Sequence, residues 1–567
     1  MNKETKNCQN CKKDFTIENE DFSFYEKIKV PPPTFCPECR LQRRLVWMSG
    51  LDLFKRKCGL CGEMKLSMYA PDAPYVVYCD RCWWSDNWDA RDFAREYDPS
   101  QNFFKQWNDL LHETPLLGLS IDKVTSELSP YTNHCGNAKN CYLIYYSDQN
   151  EDSAYGFFLA RNKNVCDSSA ILECENCYDC RNSFRNYNVV GSVNSINNID
   201  STFLQECDNC TNCFGSANLR NKQYVFFNER LSEEEYQKRL SEIDLGSYKE
   251  YQAWKAKVHE HWKKFPPKPN EDDFSFNSTG SYYFHSKNCK ECYEVEYCED
   301  SKFLMLIKTG KVQDSYDYTD WGLNATRLYE CMTVGENVRD VRFCHECGFN
   351  LMDIEYSKLQ TGGAHNFGCV SMKKGEYYIL NKQYSEEEYY ALRSRIIEDM
   401  NESPYISAAG HTYRYGEFFP PEFSPHAYNN SFASRLFPLP GAEVVSRGLH
   451  WLKPESKDHA ITMKAESLPD HIKDAPETIV KEIIECTTCT RGFRIIPQEL
   501  QFLRKNNLPL PRRCPFCRIW EKVDEWVLNM QLHERICDTC GVKFRTHYSK
   551  ERTPAVLCKE CYIKEVV

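Results

Sequence analysis

The sequence lacks long apolar runs and the motifs of several common enzyme classes. No run approaches the roughly 18 apolar residues that a transmembrane helix needs. The first residues, MNKETKN, are polar, so we expect no secretory signal and a reducing, cytoplasmic location. There is no HExxH, no P-loop, no GxSxG elbow and no GxGxxG after a strand. These absences exclude the commonest catalytic motifs and direct attention to the cysteines.

Cysteines in CxxC pairs dominate both ends of the chain. Of the 32 cysteines in the 567 residues, 16 lie in such pairs. The N-terminal set is Cys8, Cys11, Cys36, Cys39, Cys58, Cys61, Cys79 and Cys82, and the C-terminal set is Cys486, Cys489, Cys514, Cys517, Cys537, Cys540, Cys558 and Cys561. The two sets align at an offset of 478 and then 479 residues, and CQNCKKDFTI resembles CTTCTRGFRI. The chain therefore carries a duplicated module.

The spacing within each module predicts two closed metal sites. One CxxC pair supplies two thiolates along one edge of a tetrahedron, and the next pair supplies the opposite edge. Pairing consecutive knuckles gives zinc ribbons or treble clefs and about four Zn²⁺ ions per chain. An interleaved pairing is an alternative, and four thiolates would also suit iron. Disulfides are disfavoured by the expected reducing location.

Charge is distributed unevenly along the chain, whose net charge is -11. The segment between the modules has 40 Lys and Arg residues against 57 Asp and Glu residues, whereas the modules are slightly basic. Arginines cluster beside the second knuckle of each module: Arg40, Arg43 and Arg44, and Arg512, Arg513 and Arg518. They are candidates for contacts with the phosphates or unstacked bases of RNA. The alternative is that they pair with nearby carboxylates and offset the charge of the zinc-thiolate centres.

The middle of the chain is rich in Asn and Cys between short β-prone pieces. Asn tolerates left-handed corners and can stack in ladders, so this texture predicts a parallel β-helix, with a twisted antiparallel sheet as the alternative. The triplets Cys174/Cys177/Cys180 and Cys207/Cys210/Cys213 are 33 residues apart and could be stacked rungs. NKQYVFFNERLSEEEY recurs as a similar segment 153 residues later, so the middle is duplicated too. In each copy Ser232 or Ser385 should cap a helix.

The fold class expected is mainly β and multidomain, with duplicated double zinc-ribbon or treble-clef modules flanking two β-solenoid-like repeats that end in short capped helices. The expected segments are 1–92, the N-terminal zinc module; 93–130, a helical connector; 131–262, the first solenoid; 279–404, the second solenoid; 405–480, an irregular Pro- and aromatic-rich connector; and 481–567, the C-terminal zinc module.

The cysteines of the middle are expected to be small, reduced core residues, because the second copy does not keep the ligand set of the first: Cys213 corresponds to Asn366. An additional zinc or iron–sulfur centre is the alternative. Cys344-His345-Glu346-Cys347 could supply a nucleophile and a base, but a His beside a Cys in such a repeat is more often incidental.

Several motifs together resemble a known group of proteins. CxxC with FxI, PxPxxCPxCR, a second CxxC pair ending in CWWSD, and NLRNKQYxxFN before SEEEY are similar to those of cysteine-rich zinc-ribbon proteins of candidate-phylum bacteria. The resemblance covers most of the chain. It implies zinc binding at the sixteen terminal cysteines and no particular activity.

The function expected is that of a zinc-binding, non-catalytic binding or scaffold protein, with a protein or RNA partner and no membrane association. Ribosome or RNA association through the zinc modules would be its most specific form. The alternatives are a β-helix enzyme acting on a polysaccharide and a metal or redox protein that uses the middle cysteines.

Overall fold

The computed structural model describes residues 3–122, 125–453 and 460–566. The chain divides into two compact units, each built from two separate stretches. Unit 1 joins Met1–Leu119 to Glu271–Lys453, and unit 2 joins Ser120–Asn270 to Pro454–Val567. Each unit thus contains one cysteine-rich module and one solenoid, paired crosswise: the N-terminal module shares a unit with the second solenoid. The expected connector 405–480 is divided between the two units.

The first solenoid is a parallel sheet whose neighbouring strands pair residues twelve positions apart, as in Lys163 with Glu175 and Ser169 with Arg181. A closing antiparallel strand ends it. The strands are Tyr131–Lys139, Tyr142–Glu151, Ala154–Ala160, Lys163–Cys166, Ser169–Leu172, Glu175–Tyr178, Arg181–Phe184, Tyr187–Val190, Ile199–Thr202, Thr211–Phe214, Gln223–Phe226 and Glu229–Arg230. The β-helix prediction is confirmed, and the antiparallel alternative is not what the structure has.

A three-residue repeat builds each twelve-residue turn. Every third residue from His134 to Asn188 has a positive φ, for example 52° at Asn164 and 51° at Asp167. Asn and Asp adopt this left-handed conformation at low cost, which explains why the segment is rich in them. The residue after a corner faces the interior, as Val165 does. Four corners per turn therefore close a small, filled helix.

The interior columns explain the abundance of Asn and Cys. One column contains, at intervals of twelve residues, Asn150, Asn162, Cys174, Asn186, Asn198 and Cys210. The Asn162 side chain donates to Asn150 Oδ1 over 3.0 Å, and its own Oδ1 accepts from the Cys174 backbone N–H over 2.8 Å. Cys174 thus aligns with Cys210, three turns on, and not with Cys207, because 33 is not a multiple of twelve.

The second solenoid has turns of unequal length. Its register advances by 12 residues from Gly280 to Cys292, by 14 from Met305 to Thr319 and by 13 from Tyr316 to Tyr329. Its strands are Gly280–Phe284, Cys292–Glu296, Cys298–Glu299, Met305–Ile307, Val312–Gln313, Tyr316–Gly322, Ala325–Thr326, Tyr329–Gly335, Val338–Arg342, His345–Glu355, Thr361–Phe367, Glu376–Ile379 and Lys382–Gln383. All seven of its cysteines are buried as core residues.

Both solenoids end in helices capped by the predicted serines. Ser232 Oγ accepts from Glu235 N and Ser385 Oγ accepts from Glu388 N. The reciprocal Glu bond of a capping box is present at Ser385. The helices after the solenoids are Glu233–Ser241, Tyr248–Trp262 and Glu386–Glu402.

The modules and connectors consist of short hairpins and helices. Their α-helices are Asn19–Lys27, Pro37–Leu45, Asp80–Trp83, Phe103–Glu113, Ala433–Leu436, Gly441–Ser446, Pro497–Lys505, Pro515–Leu528 and Lys559–Val566. Their strands are Glu4–Asn7, Asp14–Ile17, Phe54–Lys57, Met64–Ser67, Val77–Tyr78, Leu116–Leu117, Tyr405–Ile406, Thr412–Tyr413, Met463–Lys464, Ile484–Glu485, Gly492–Phe493, His533–Ile536 and Lys543–Thr546. Across the described ranges, none of the helices combines the length and apolarity needed to cross a membrane.

Candidate metal centres and their attachment to the solenoids

The sixteen terminal cysteines come together in four groups of four. The groups are Cys8/Cys11/Cys36/Cys39, Cys58/Cys61/Cys79/Cys82, Cys486/Cys489/Cys514/Cys517 and Cys537/Cys540/Cys558/Cys561, and in each the sulfur atoms all lie within 4.8 Å of one another. The knuckles that share a group are consecutive ones, not interleaved ones. Each group can hold a metal ion.

The sulfur–sulfur distances match a tetrahedral metal thiolate site. Metal–sulfur bonds of about 2.3 Å place the corners of a tetrahedron about 3.8 Å apart. The Cys11–Cys36, Cys489–Cys514 and Cys540–Cys558 sulfurs are each 3.7 Å apart. Four thiolates in this arrangement leave no open coordination position for a substrate, which is the pattern of a structural centre.

Local backbone geometry favours the thiolate form of the first cysteine of a group. Burial opposes ionisation of the Cys58 thiol, but backbone N–H groups of Cys79, Cys61 and Leu60 donate to its sulfur and bring its pKa to about 7. The same balance brings the pKa of Cys486 to about 7 and that of Cys537 to about 6. These sulfurs are thus prepared for metal binding near neutral pH, because a metal ion binds the thiolate.

In unit 1, the helix that follows the second knuckle is fastened to the solenoid by buried ion pairs. Cys36 is the N-cap of helix Pro37–Leu45 and Cys39 lies in its first turn. Arg44 contacts Asp317 at 3.2 Å and Glu330 at 3.0 Å, and both carboxylates are fully buried. Asp317 and Glu330 lie on consecutive turns, since Tyr316 pairs with Tyr329. The metal group therefore sits at the base of a helix that spans two turns of the solenoid.

The remaining arginines of this helix complete a balanced network. Arg40 contacts Asp317 at 2.9 Å, and Arg43 contacts Glu330 at 2.6 Å and Glu417 at 2.8 Å. Three guanidinium groups thus face three carboxylates. The arginines are only 1%, 4% and 0% exposed, in the order Arg40, Arg43 and Arg44.

Unit 2 repeats this attachment with different residues. Helix Pro515–Leu528 follows Cys514, and its Arg518, which aligns with Arg40, pairs with Asp167 on the first solenoid. Lys522, which aligns with Arg44, contacts Asp179 at 2.9 Å. Asp167 and Asp179 are twelve residues apart, so they also lie on consecutive turns. The duplicated modules therefore grip their solenoids in the same way.

The expected nucleic-acid contacts are placed differently by the structure. Arg40, Arg43, Arg44, Arg512 and Arg518 are buried, and Arg513, which is half-buried, contacts Glu521 at 2.8 Å. Arg512 donates to the carbonyls of Leu468 and Pro469. The geometry therefore corresponds to the alternative that the sequence left open, in which most of these arginines pair with carboxylates.

The Cys344–Cys347 segment does not form a nucleophile–base pair. The sulfurs of Cys344 and Cys347 donate to backbone carbonyls in the solenoid interior. His345 Nδ1 instead lies 2.9 Å from the buried Lys358 ammonium, which also contacts Glu346.

Sequence reasoning missed the carboxylates that receive the modules. Asp167, Asp179, Asp317 and Glu330 all occupy left-handed corners. The signal was present: acidic residues separated by one turn, at positions that precede an interior residue. It could be read only once the three-residue repeat was known.

Comparisons of the chain with protein-family models, curated proteins and solved structures return no match.

Proposed function

We propose that the protein is a zinc-stabilised, non-catalytic scaffold in which the metal centres hold the modules against the two solenoids. The observation that carries this proposal is the arrangement of Cys36 and Cys39. They begin the helix whose Arg44 reaches two buried carboxylates on consecutive solenoid turns.

The metal has a mechanical role in this proposal. Binding of the four thiolates fixes the start of the helix, and the fixed helix keeps three guanidinium groups on their carboxylates. Without the metal, the helix is free to leave the solenoid, and Asp317 and Glu330 then lose the charges that compensate them. Uncompensated buried carboxylates are strongly destabilising.

Zinc is the metal we assign, because closed tetracysteine groups most often hold structural zinc. Iron uses the same ligands, so the choice requires measurement. Elemental analysis of protein purified under reducing conditions should give four zinc ions per chain, one for each group. Iron in place of zinc, or clearly more than four metal ions, would favour the redox alternative.

A pair of cysteine variants tests which sulfurs bind metal. Cys39→Ser should lower the zinc content by one ion and reduce the thermal stability of unit 1. Cys213→Ser is the matched control, because Cys213 is fully buried in the first solenoid, where serines such as Ser201 already occupy equivalent interior positions. Equal zinc loss in both variants would contradict the assignment.

A protein partner on the solenoid faces suits this scaffold better than RNA, because solenoids supply extended binding surfaces and the middle of the chain is acidic. The burial of most of the clustered arginines removes the main support for the RNA form. A salt-sensitive mobility shift of RNA with the zinc-loaded protein would nevertheless favour RNA.

A further inference from the structure

Unit 2 contains a cavity of about 330 Å³ beside the attachment of its module. The cavity is bounded by Asp167 and Asp179 of the solenoid, by helix Tyr248–Trp262, by the Pro509–Arg513 segment and by helix Pro515–Leu528. Its volume lies at the lower end of the roughly 300–1,000 Å³ typical of small-molecule sites. It therefore suits a small molecule better than a polymer.

The lining of this cavity carries more positive than negative charge. Its carboxylates are Asp167, Asp179 and Glu521, whereas its permanent cations are Lys255, Arg512, Arg513, Arg518 and Lys522. Glu499 lies behind Arg518 and contacts it at 2.8 Å, which still leaves an excess of one positive charge. Burial, together with the charges of Lys255 and Arg181, lowers the pKa of His259 in the lining to about 4. The cavity is thus an electropositive environment.

The corresponding network in unit 1 is balanced. There Arg43 joins Glu330 and Glu417, so three arginines meet three carboxylates. In unit 2 the residue aligned with Arg43 is Glu521, which pairs with Arg513 at the side of the cavity. The second copy therefore has, in place of a sealed ion network, an accessible cavity with uncompensated cations.

Polar atoms at the cavity remain without hydrogen-bond partners. Asp167 is 3% exposed, and its Oδ1 has no donor, while Arg513 Nε and Arg518 Nε have no acceptor. Buried polar atoms without partners are rare in folded proteins and mark places where a ligand can supply the missing bond. Two unused donors and one unused acceptor suit a molecule that carries both an anionic group and a hydroxyl group.

We propose that this cavity binds the phosphate group of a small molecule. The excess cations and unused guanidinium N–H groups receive the phosphate oxygens, and Asp167 Oδ1 accepts a hydrogen bond from a hydroxyl group. Arginine and lysine are the usual phosphate-binding side chains. This inference goes beyond the scaffold role and does not depend on it, because the site is defined by the unit 2 residues alone.

The test is calorimetric titration of the full-length, zinc-loaded protein with inorganic phosphate, glycerol phosphate and a hexose phosphate, with glycerol as the uncharged probe. We expect the phosphates to bind and glycerol not to bind. A tighter affinity for the esters would identify an organic phosphate as the ligand, whereas equal affinity would identify the free ion; both outcomes support a phosphate site.

Three variants locate the site. Lys255→Met should weaken phosphate binding by about tenfold, as expected for the loss of one charged contact. Ala256→Trp, at an exposed position in the lining, should block binding sterically without a change of charge. Lys257→Met is the matched control, because Lys257 lies on the same helix but over the Trp254 ring.

The result that would overturn the proposal is the absence of binding by any of the phosphates at millimolar concentration, or equal loss of affinity in the Lys257→Met control. Thermal melts of each variant show whether it is folded. Since the zinc content is measured on the same samples, failure of this site is distinguishable from failure of the metal centres.

Discussion

Removal of Arg44 is the most direct perturbation of the attachment between a module and its solenoid. In Arg44→Met, the long apolar side chain preserves much of the packing but removes the charge between Asp317 and Glu330. Both carboxylates are fully buried and lie 3.2 and 3.0 Å from the guanidinium group. Breaking a buried ion pair by removing one partner typically costs about 3–5 kcal/mol. We expect the free energy of unfolding of unit 1 to fall by about this amount.

A second substitution separates charge from packing. Arg44→Met with Glu330→Gln removes one charge of each sign, which leaves Arg40 with Asp317 and Arg43 with Glu417. The double variant should therefore recover about 2 kcal/mol of the stability lost in Arg44→Met, a coupling typical of residues in one ion network.

Equilibrium urea unfolding of the zinc-loaded protein, followed by circular dichroism, measures both variants. The transition moved by Arg44→Met should be the one moved by Cys39→Ser, because both changes act on the same helix. A loss below about 1 kcal/mol in Arg44→Met, the range of an exposed ion pair, would refute the reasoning.

Two further predictions concern a solenoid corner and a buried carboxyl group. Leu128 is 80% exposed with a φ of 50°, so Leu128→Asn should stabilise unit 2 by about 1 kcal/mol in urea unfolding, since Asn tolerates this conformation; destabilisation would contradict the corner assignment. Burial raises the pKa of Asp320 to about 7. The unfolded chain loses this proton near pH 4, so the stability contributed by the protonated form is present at low pH and is lost as the pH rises from about 4 to 7. Asp320→Asn should therefore reduce the fall in stability between pH 6 and 7 by about 1 kcal/mol, and an unchanged slope would show that Asp320 is already ionised.

The metal groups could be predicted from the sequence because their information is local. Both cysteines of a knuckle are three residues apart, and a tetrahedral metal requires two knuckles. The environment of the arginines could not be predicted, because their partners are distant in sequence: Arg44 and Glu330 are separated by 286 residues. Nothing near Arg44 distinguishes a side chain that faces solvent from one that faces a buried carboxylate.

The solenoid was predicted in kind but not in period. The expected repeat was a whole turn, whereas the repeat in the first solenoid is three residues long, with a corner and then an interior residue. Cys, Ser, Asn, Val and Leu all serve as interior residues, so the repeat leaves little sequence identity. In the second solenoid, register advances of 12, 13 and 14 residues blur the turn length further.

The crosswise pairing of modules and solenoids leads to a final prediction about the linker at 263–270. Cleavage there separates a fragment that carries the N-terminal module and the first solenoid from one that carries the second solenoid and the C-terminal module. Each compact unit then contains parts of both fragments. A protease site inserted after Lys264 should therefore give a nicked protein whose halves co-elute in size-exclusion chromatography.

Chelation provides the matched control for the nicked protein. If the metal centres hold each module on its solenoid, removal of zinc by a chelator should allow the two fragments to separate, while the uncut chain keeps its mass. Fragments that separate with zinc still bound would contradict the crosswise units. Fragments that stay together after complete zinc removal would show that the buried ion pairs between them, such as Arg44 with Glu330 at 3.0 Å, hold the modules without the metal.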